Sequence, residues 1–315
     1  MKNHSKPFVL FILLCGSGVQ ALCAAENSSP LIECDRACLY AIADQYLDAL
    51  VKKDSSRAPW APHVKFTENG VQLKIGDGLW NTINAKRNYN LKLADPQEGQ
   101  VAVIEVVEEH GYPAILAARI KVENRQITEV ETVLSRKVDN APFPVTETLI
   151  TPNPLFAEDI TPDQRQARPR LVSVADGYFD TLQLNDGTLF THFTDDCNRV
   201  ENGLLTTNTD IPGYDIARLG CADQFRLGQY IYDDRLRDRR YPLVDEEKGV
   251  VLAAGFMDHS GRVVDVTWTD GTKQKSLFFY PHSFIYLELF KIENGAIRLV
   301  ESVFANTTYN TPSVW

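Results

Sequence analysis

No apolar run in this 315-residue chain reaches the roughly 20 residues that a bilayer-spanning helix requires, so no membrane span is expected. The chain also lacks a Gly-x-Ser-x-Gly elbow, a phosphate-cradling glycine loop and a dinucleotide fingerprint, which leaves hydrolase triads and nucleotide cofactors unsupported. Positive charge is in deficit. The formal net charge is -10 and no basic stripe overrides it, so phosphate backbones are repelled and nucleic acid is not an expected partner. Histidine is scarce as well: beyond the N-terminal segment there are only His63, His110, His192, His259 and His282, with no helical His-x3-His pair. Neither a metal nor another cofactor is therefore expected.

The N-terminus carries Lys2 and Lys6, an apolar run from Phe8 to Cys15, and small residues ending in Ala24 and Ala25. This pattern predicts a cleaved signal over residues 1–25 and a secreted or periplasmic protein, with lipid anchoring at Cys23 as the rival reading. Cleavage would remove two lysines and no acid, taking the net charge to -12. Four cysteines would remain. In an oxidising compartment an even count suggests two disulfides; sequence allows three connectivities, and the near neighbours Cys34–Cys38 and Cys197–Cys221 are the preferred pairs.

One stretch is written twice. KVENRQITEVETV at 121–133 returns as KIENGAIRLVESV at 291–303, with seven identities in thirteen positions. Asp44-x-Tyr46 and Asp54 match Asp176-x-Tyr178 and Asp186, Glu68-Asn69-Gly70 matches Glu201-Asn202-Gly203, and Asp95 and Gly99 match Asp245 and Gly249. These ordered anchors predict two copies of one module, over 31–135 and 161–315, the second enlarged by an insertion. Prolines 142, 144, 152 and 154 mark a linker over 136–160, and Thr161-Pro162-Asp163-Gln164 reads as a helix start. Each copy opens with an amphipathic helix and continues in β-branched runs separated by turns, which predicts an α+β fold.

The stretches Phe193-Thr-Asp-Asp-Cys-Asn-Arg-Val-Glu201 and Trp60-Ala-Pro-His-Val-Lys-Phe-Thr-Glu68 resemble the start of the first strand in the family of cone folds shared by ketosteroid isomerases, scytalone dehydratase, SnoaL-like cyclases and nuclear transport factor 2. The resemblance implies two tandem cone-shaped α+β-barrel domains, each a curved antiparallel sheet closed by N-terminal helices. It also implies an oxyanion-holding tyrosine on the first helix, Tyr46 or Tyr178, and a proton-moving acid, Glu68 or Glu201. At the position of the isomerases' late-strand acid the two copies carry Ala117 and Leu287, a departure from ketosteroid isomerisation itself.

Each candidate has a bland counterpart. A tyrosine in an apolar stripe is most often core, and a glutamate before Asn-Gly often only supports the turn. His63 stands where the second copy has Asp196, so the copies differ in acid–base potential there, and His282 in an aromatic run is a further acid–base candidate. Arg240, within Arg235-Leu-Arg-Asp-Arg-Arg240, would orient an acidic group unless nearby carboxylates neutralise it. The expected activity is a cofactor-independent lyase, dehydratase or isomerase acting on a small, partly apolar substrate. Tyr178, Glu201, Asp196 and His282 would be catalytic, Arg240, Tyr46, Glu68, His63 and Trp60 would bind, and the two copies would form an intramolecular pseudo-dimer. A non-catalytic binding module and a carbohydrate-processing enzyme are the alternatives.

Overall fold

The computed structural model describes residues 34–137 and 146–315; the signal over 1–25 and prolines 142 and 144 of the linker lie outside the described residues. The first half comprises α1 (Arg36–Lys52), β1 (Trp60–Glu68), β2 (Val71–Gln72), β3 (Ile83–Asp95), β4 (Gln100–Glu109), β5 (Tyr112–Glu123) and β6 (Gln126–Arg136). The second comprises α2 (Arg168–Leu184), β7 (His192–Glu201), β8 (Leu204–Leu205), α3 (Cys221–Arg226), β9 (Arg235–Asp245), β10 (Val250–His259), β11 (Asp265–Thr267), β12 (Lys273–Lys275), β13 (His282–Glu293) and β14 (Ala296–Thr307). Both expected disulfides, Cys34–Cys38 and Cys197–Cys221, are formed. No helix among the described residues is long and apolar enough to cross a membrane.

Strand pairing corrects the expected architecture. Among the described residues, twelve of the strands form two six-stranded sheets of identical order, β2-β1-β6-β5-β4-β3 and β8-β7-β14-β13-β10-β9, and β11 and β12 pair separately. Each sheet is mixed rather than antiparallel, because β1 runs parallel to β6 and β7 parallel to β14. Among the described residues neither sheet closes into a barrel and each half has a single long helix, so these are two sheet-rich halves rather than helix-capped cones. Hydrophobic alternation identifies a strand but carries no information about which partner it meets or in which direction. The second helix also starts later than expected. Gln164 donates only a turn hydrogen bond to Thr161, and α2 begins at Arg168 with Pro169 in its first turn.

The repeated words have local causes. In Glu-Asn-Gly, Asn69 and Asn202 take left-handed φ values of 48° and 46°, closing the turns after β1 and β7. Their side chains then act as a further rung of the sheet. Asn69 accepts from the Leu134 N–H and donates to the Leu134 carbonyl, at 2.7 and 3.2 Å, and Asn202 does the same with Phe304, at 2.9 and 3.0 Å. The opening repeat is the β5–β6 and β13–β14 hairpin, turned by Asn124-Arg125 and Asn294-Gly295, all at positive φ.

Alternation along the strands divides the core. On β13, Tyr286, Phe290 and Ile292 enter the core beneath α2, while Ile285, Leu287 and Leu289 join Leu91, Ile104, Ile115, Ala117 and Val133 in a cluster built from both sheets. Polar contacts around that cluster are exchanged reciprocally. Arg36 at the start of α1 pairs with Asp245 at the end of β9, and its counterpart Arg168 pairs with Asp95 at the end of β3, at 2.7 Å. The matched acids Glu131 and Glu301 also reach across, Glu131 to Arg240 at 2.6 Å and Glu301 to the Tyr89 hydroxyl.

Candidate active site

The inner face of the second sheet borders a cavity of about 940 Å³. Its apolar wall includes Leu182, Leu204, Ile211, Met257, Phe284 and Phe304. Two polar groups of residues interrupt that wall.

The inner group lies beneath α2. Tyr178 is buried edge-on against Phe225 and Phe290, with centroid distances of 5.2 and 5.0 Å, and its hydroxyl lies beside the Glu288 carboxyl. Glu288 is only 4% exposed. Burial, with the Glu201 charge adding to it, pushes its carboxyl up to about 8, although Arg199 and the nearby Tyr178 hydroxyl oppose the shift. It is therefore a neutral acid at neutral pH. Burial raises the Tyr178 phenol well above its ordinary value, so it too keeps its proton. Beside them Arg199 donates to Glu201 at 2.8 Å and to the Tyr230 hydroxyl at 2.6 Å, and Tyr230 donates to Gln224 at 2.9 Å. Gln224 sits on α3, which the Cys197–Cys221 disulfide fastens to β7.

The other group contains two histidines paired across β10 and β13. His259 and His282 stack with centroids 4.5 Å apart and planes within 12°. His259 Nε2 lies 2.8 Å from Asp233 Oδ1, close enough for an ionic contact but poorly aligned for a hydrogen bond. Burial raises the Asp233 carboxyl, with His259 opposing. His282 Nδ1 is 3.0 Å from the Tyr280 carbonyl, which can only accept, so the ring proton is on Nδ1 and Nε2 carries the lone pair. Burial lowers the His282 pKa, and His259 adds to the effect.

The structure gathers Tyr178, Glu201 and His282 around this one cavity and leaves the other named residues elsewhere. Asp196 is exposed and pairs with Arg298 at 3.3 Å, because on β7 the inward positions are Cys197, Arg199 and Glu201. Arg240 is bonded to Glu131, and Arg235, Arg237 and Arg239 are held by Asp258, Asp238, Asp176 and Asp180. In the first half, Tyr46 is buried against Trp60 and Trp80, Glu68 accepts from the Leu79 N–H and from Arg136, and His63 is exposed on β1. The counterparts of Arg199, Tyr286 and Glu288 there are Phe66, Leu116 and Ala118, all in its hydrophobic core.

Sequence reasoning missed Glu288. The resemblance puts the late-strand acid at Leu287, one residue away, yet alternation with the apolar Leu287 and Leu289 places Glu288 on the inner face with Tyr286 and Phe290. Tyr230, Tyr232 and Asp233 come from the segment between β8 and β9, where no local pattern marks them.

No match was found among curated proteins. Among solved structures, a protein from Kribbella flavida, provisionally assigned as a ketosteroid isomerase, is 15% identical over 38% of this chain and 91% of its own, with a TM-score of 0.27. A likeness at that level carries no argument about fold or reaction. The model of one family matches both halves, at residues 33–134 and 164–304, and the chain thus belongs to the family described as "Domain of unknown function (DUF8021)".

Proposed function

We propose that the protein is a secreted or periplasmic acid–base enzyme, a lyase, dehydratase or isomerase, acting without a cofactor on a small, partly apolar carbonyl compound in the cavity of its second half. Tyr178 and the neutral Glu288 donate to the substrate oxygen as negative charge develops there. Glu201, oriented by Arg199, takes up and returns the proton at carbon, and His282 Nε2 is a second acceptor. The observation that carries this reading is a buried carboxyl, neutral at neutral pH and set beside a buried phenol, at the wall of an apolar cavity. Preorganised donors of this kind act on charge that appears only during reaction, which is where they accelerate it.

The first half is a companion, since Ala118 and Phe66 replace the acid and the arginine. The exchanged pairs Arg36–Asp245 and Arg168–Asp95 support a pseudo-dimer of the two halves, as an isologous interface repeats each contact with the partners reversed. A binding module is the second reading, favoured by Phe279 and Leu277, which line the cavity while remaining 72% and 57% exposed. An untargeted metabolite comparison between the wild type and a Tyr178→Phe, Glu288→Gln double variant separates the two. Substrate accumulation with the variant is expected; identical profiles would remove the catalytic pair.

A further inference from the structure

The cavity's two polar groups have opposite hydrogen-bonding character. The inner one is rich in donors: the neutral Glu288 carboxyl, the Tyr178 phenol and the buried Nε of Arg199, which has no partner. The Tyr286 hydroxyl, also buried on the cavity wall, likewise lacks one. The histidine group presents an acceptor. His282 is 5% exposed, its Nδ1 is committed to the Tyr280 carbonyl, and its Nε2 is buried without a partner. Buried polar atoms are rarely left unsatisfied, so each of these marks a place that an occupant completes.

Charge narrows the occupant further. The basic side chains lining the cavity are Arg199, paired with Glu201 at 2.8 Å, His259, 2.8 Å from Asp233, and His282; the one guanidinium among them already faces an acid. No spare cation remains to neutralise a carboxylate or phosphate taken out of water, and such a group would enter at a large desolvation penalty.

We propose that the natural ligand is an uncharged molecule with an apolar body, placing a hydrogen-bond acceptor such as a carbonyl against Tyr178 and Glu288 and a hydroxyl donor against His282 Nε2. This rests on the cavity being the functional site, as in the acid–base reading, but it concerns recognition and is tested by binding alone. The Leu182, Ile211, Met257 and Phe284 side chains cover the body between the two ends.

The test uses three biphenyl probes and the full-length protein, titrated calorimetrically near neutral pH. The first carries a para-hydroxyl at one end and a para-aldehyde at the other; the second replaces the aldehyde with a carboxylate; the third has the aldehyde and no hydroxyl. The hydroxy-aldehyde is expected to bind at least about tenfold tighter than the hydroxy-carboxylate, from the uncompensated charge. Removing the hydroxyl should weaken binding about fivefold in the wild type and leave it unchanged in His282→Leu. The inference is overturned if the carboxylate binds as well as the aldehyde, if none of the probes binds, or if the hydroxyl makes no difference in the wild type. The wild-type comparisons stand without the variant, should His282→Leu fail to fold. Carboxylate preference together with a Glu288-dependent metabolite change would end this inference and leave the acid–base reading; the selectivity expected here without any metabolite change would do the reverse.

Discussion

Replacing Glu288 by glutamine keeps the side chain's shape and removes its titration, and the consequence for stability can be worked out in sign and size. Folding raises this carboxyl from 4.5 to about 8, chiefly through burial. A group whose folded pKa is raised stabilises fully only below its unfolded pKa, and the stability is lost as pH rises through the folded value. The wild type should therefore weaken progressively between about pH 4.5 and about pH 8, as the unfolded chain releases a proton that the folded chain retains. At about 1.4 kcal/mol for each pH unit that separates the two values, the full span is on the order of 5 kcal/mol, an upper bound because local relaxation softens the cost of ionisation. Glu288→Gln is expected to gain on the wild type by up to that amount across the window. Urea unfolding with both disulfides intact, repeated from about pH 5 to about pH 9, measures the difference. Glu105 and Glu301, each also raised to about 7 by burial, are present in both proteins and cancel in the comparison. A stability difference that stays flat over this range would refute the assignment of Glu288 as a neutral acid, and with it the donor pair proposed for catalysis.

Three other outcomes follow from the geometry. Asn202→Ala removes a left-handed turn residue and both hydrogen bonds to Phe304, and should lower stability by about 2 kcal/mol, read as a reduced urea midpoint at unchanged slope. Gly255→Ala places a Cβ 2.5 Å from the Tyr286 hydroxyl and 3.1 Å from the Arg237 carbonyl, so a loss of about 1–3 kcal/mol is expected, with altered near-ultraviolet dichroism as Tyr286 shifts. Replacing Cys197 and Cys221 together by alanine opens a 24-residue separation and should cost about 3 kcal/mol, whereas the same change at Cys34 and Cys38, four residues apart, should cost distinctly less; thermal unfolding compares the two.

Much of the local structure was legible. The apolar stripe Leu39, Ile42, Ala43, Tyr46, Leu47 and Leu50 is the buried face of α1, and Asn-Gly marks turns that the backbone makes at positive φ. The disulfide pairs followed from proximity along the chain. Candidate residues fared according to how far their roles depend on distant partners. The resemblance to the cone-fold isomerases points to Tyr178 and Glu201, and both line the cavity, whereas their repeats Tyr46 and Glu68 do not. Strand alternation already opposes Asp196 to Cys197 and Arg199, whereas the partner that occupies Arg240, Glu131, lies 109 residues away and is none of the nearby carboxylates that the sequence offers it.

By itself the sequence determined the duplication, the turns and the buried helix faces, and it ranked the disulfide pairs, since each depends on residues close in the chain or on a pattern repeated within it. Strand direction, the mixed sheets and the open edges were decided only by tertiary structure, because the period of two is the same for a parallel and an antiparallel neighbour. The chemistry of Glu288 was decided there too: a carboxyl becomes a neutral acid only where α2, β7 and β13 together exclude water from it, and no single segment contains that information.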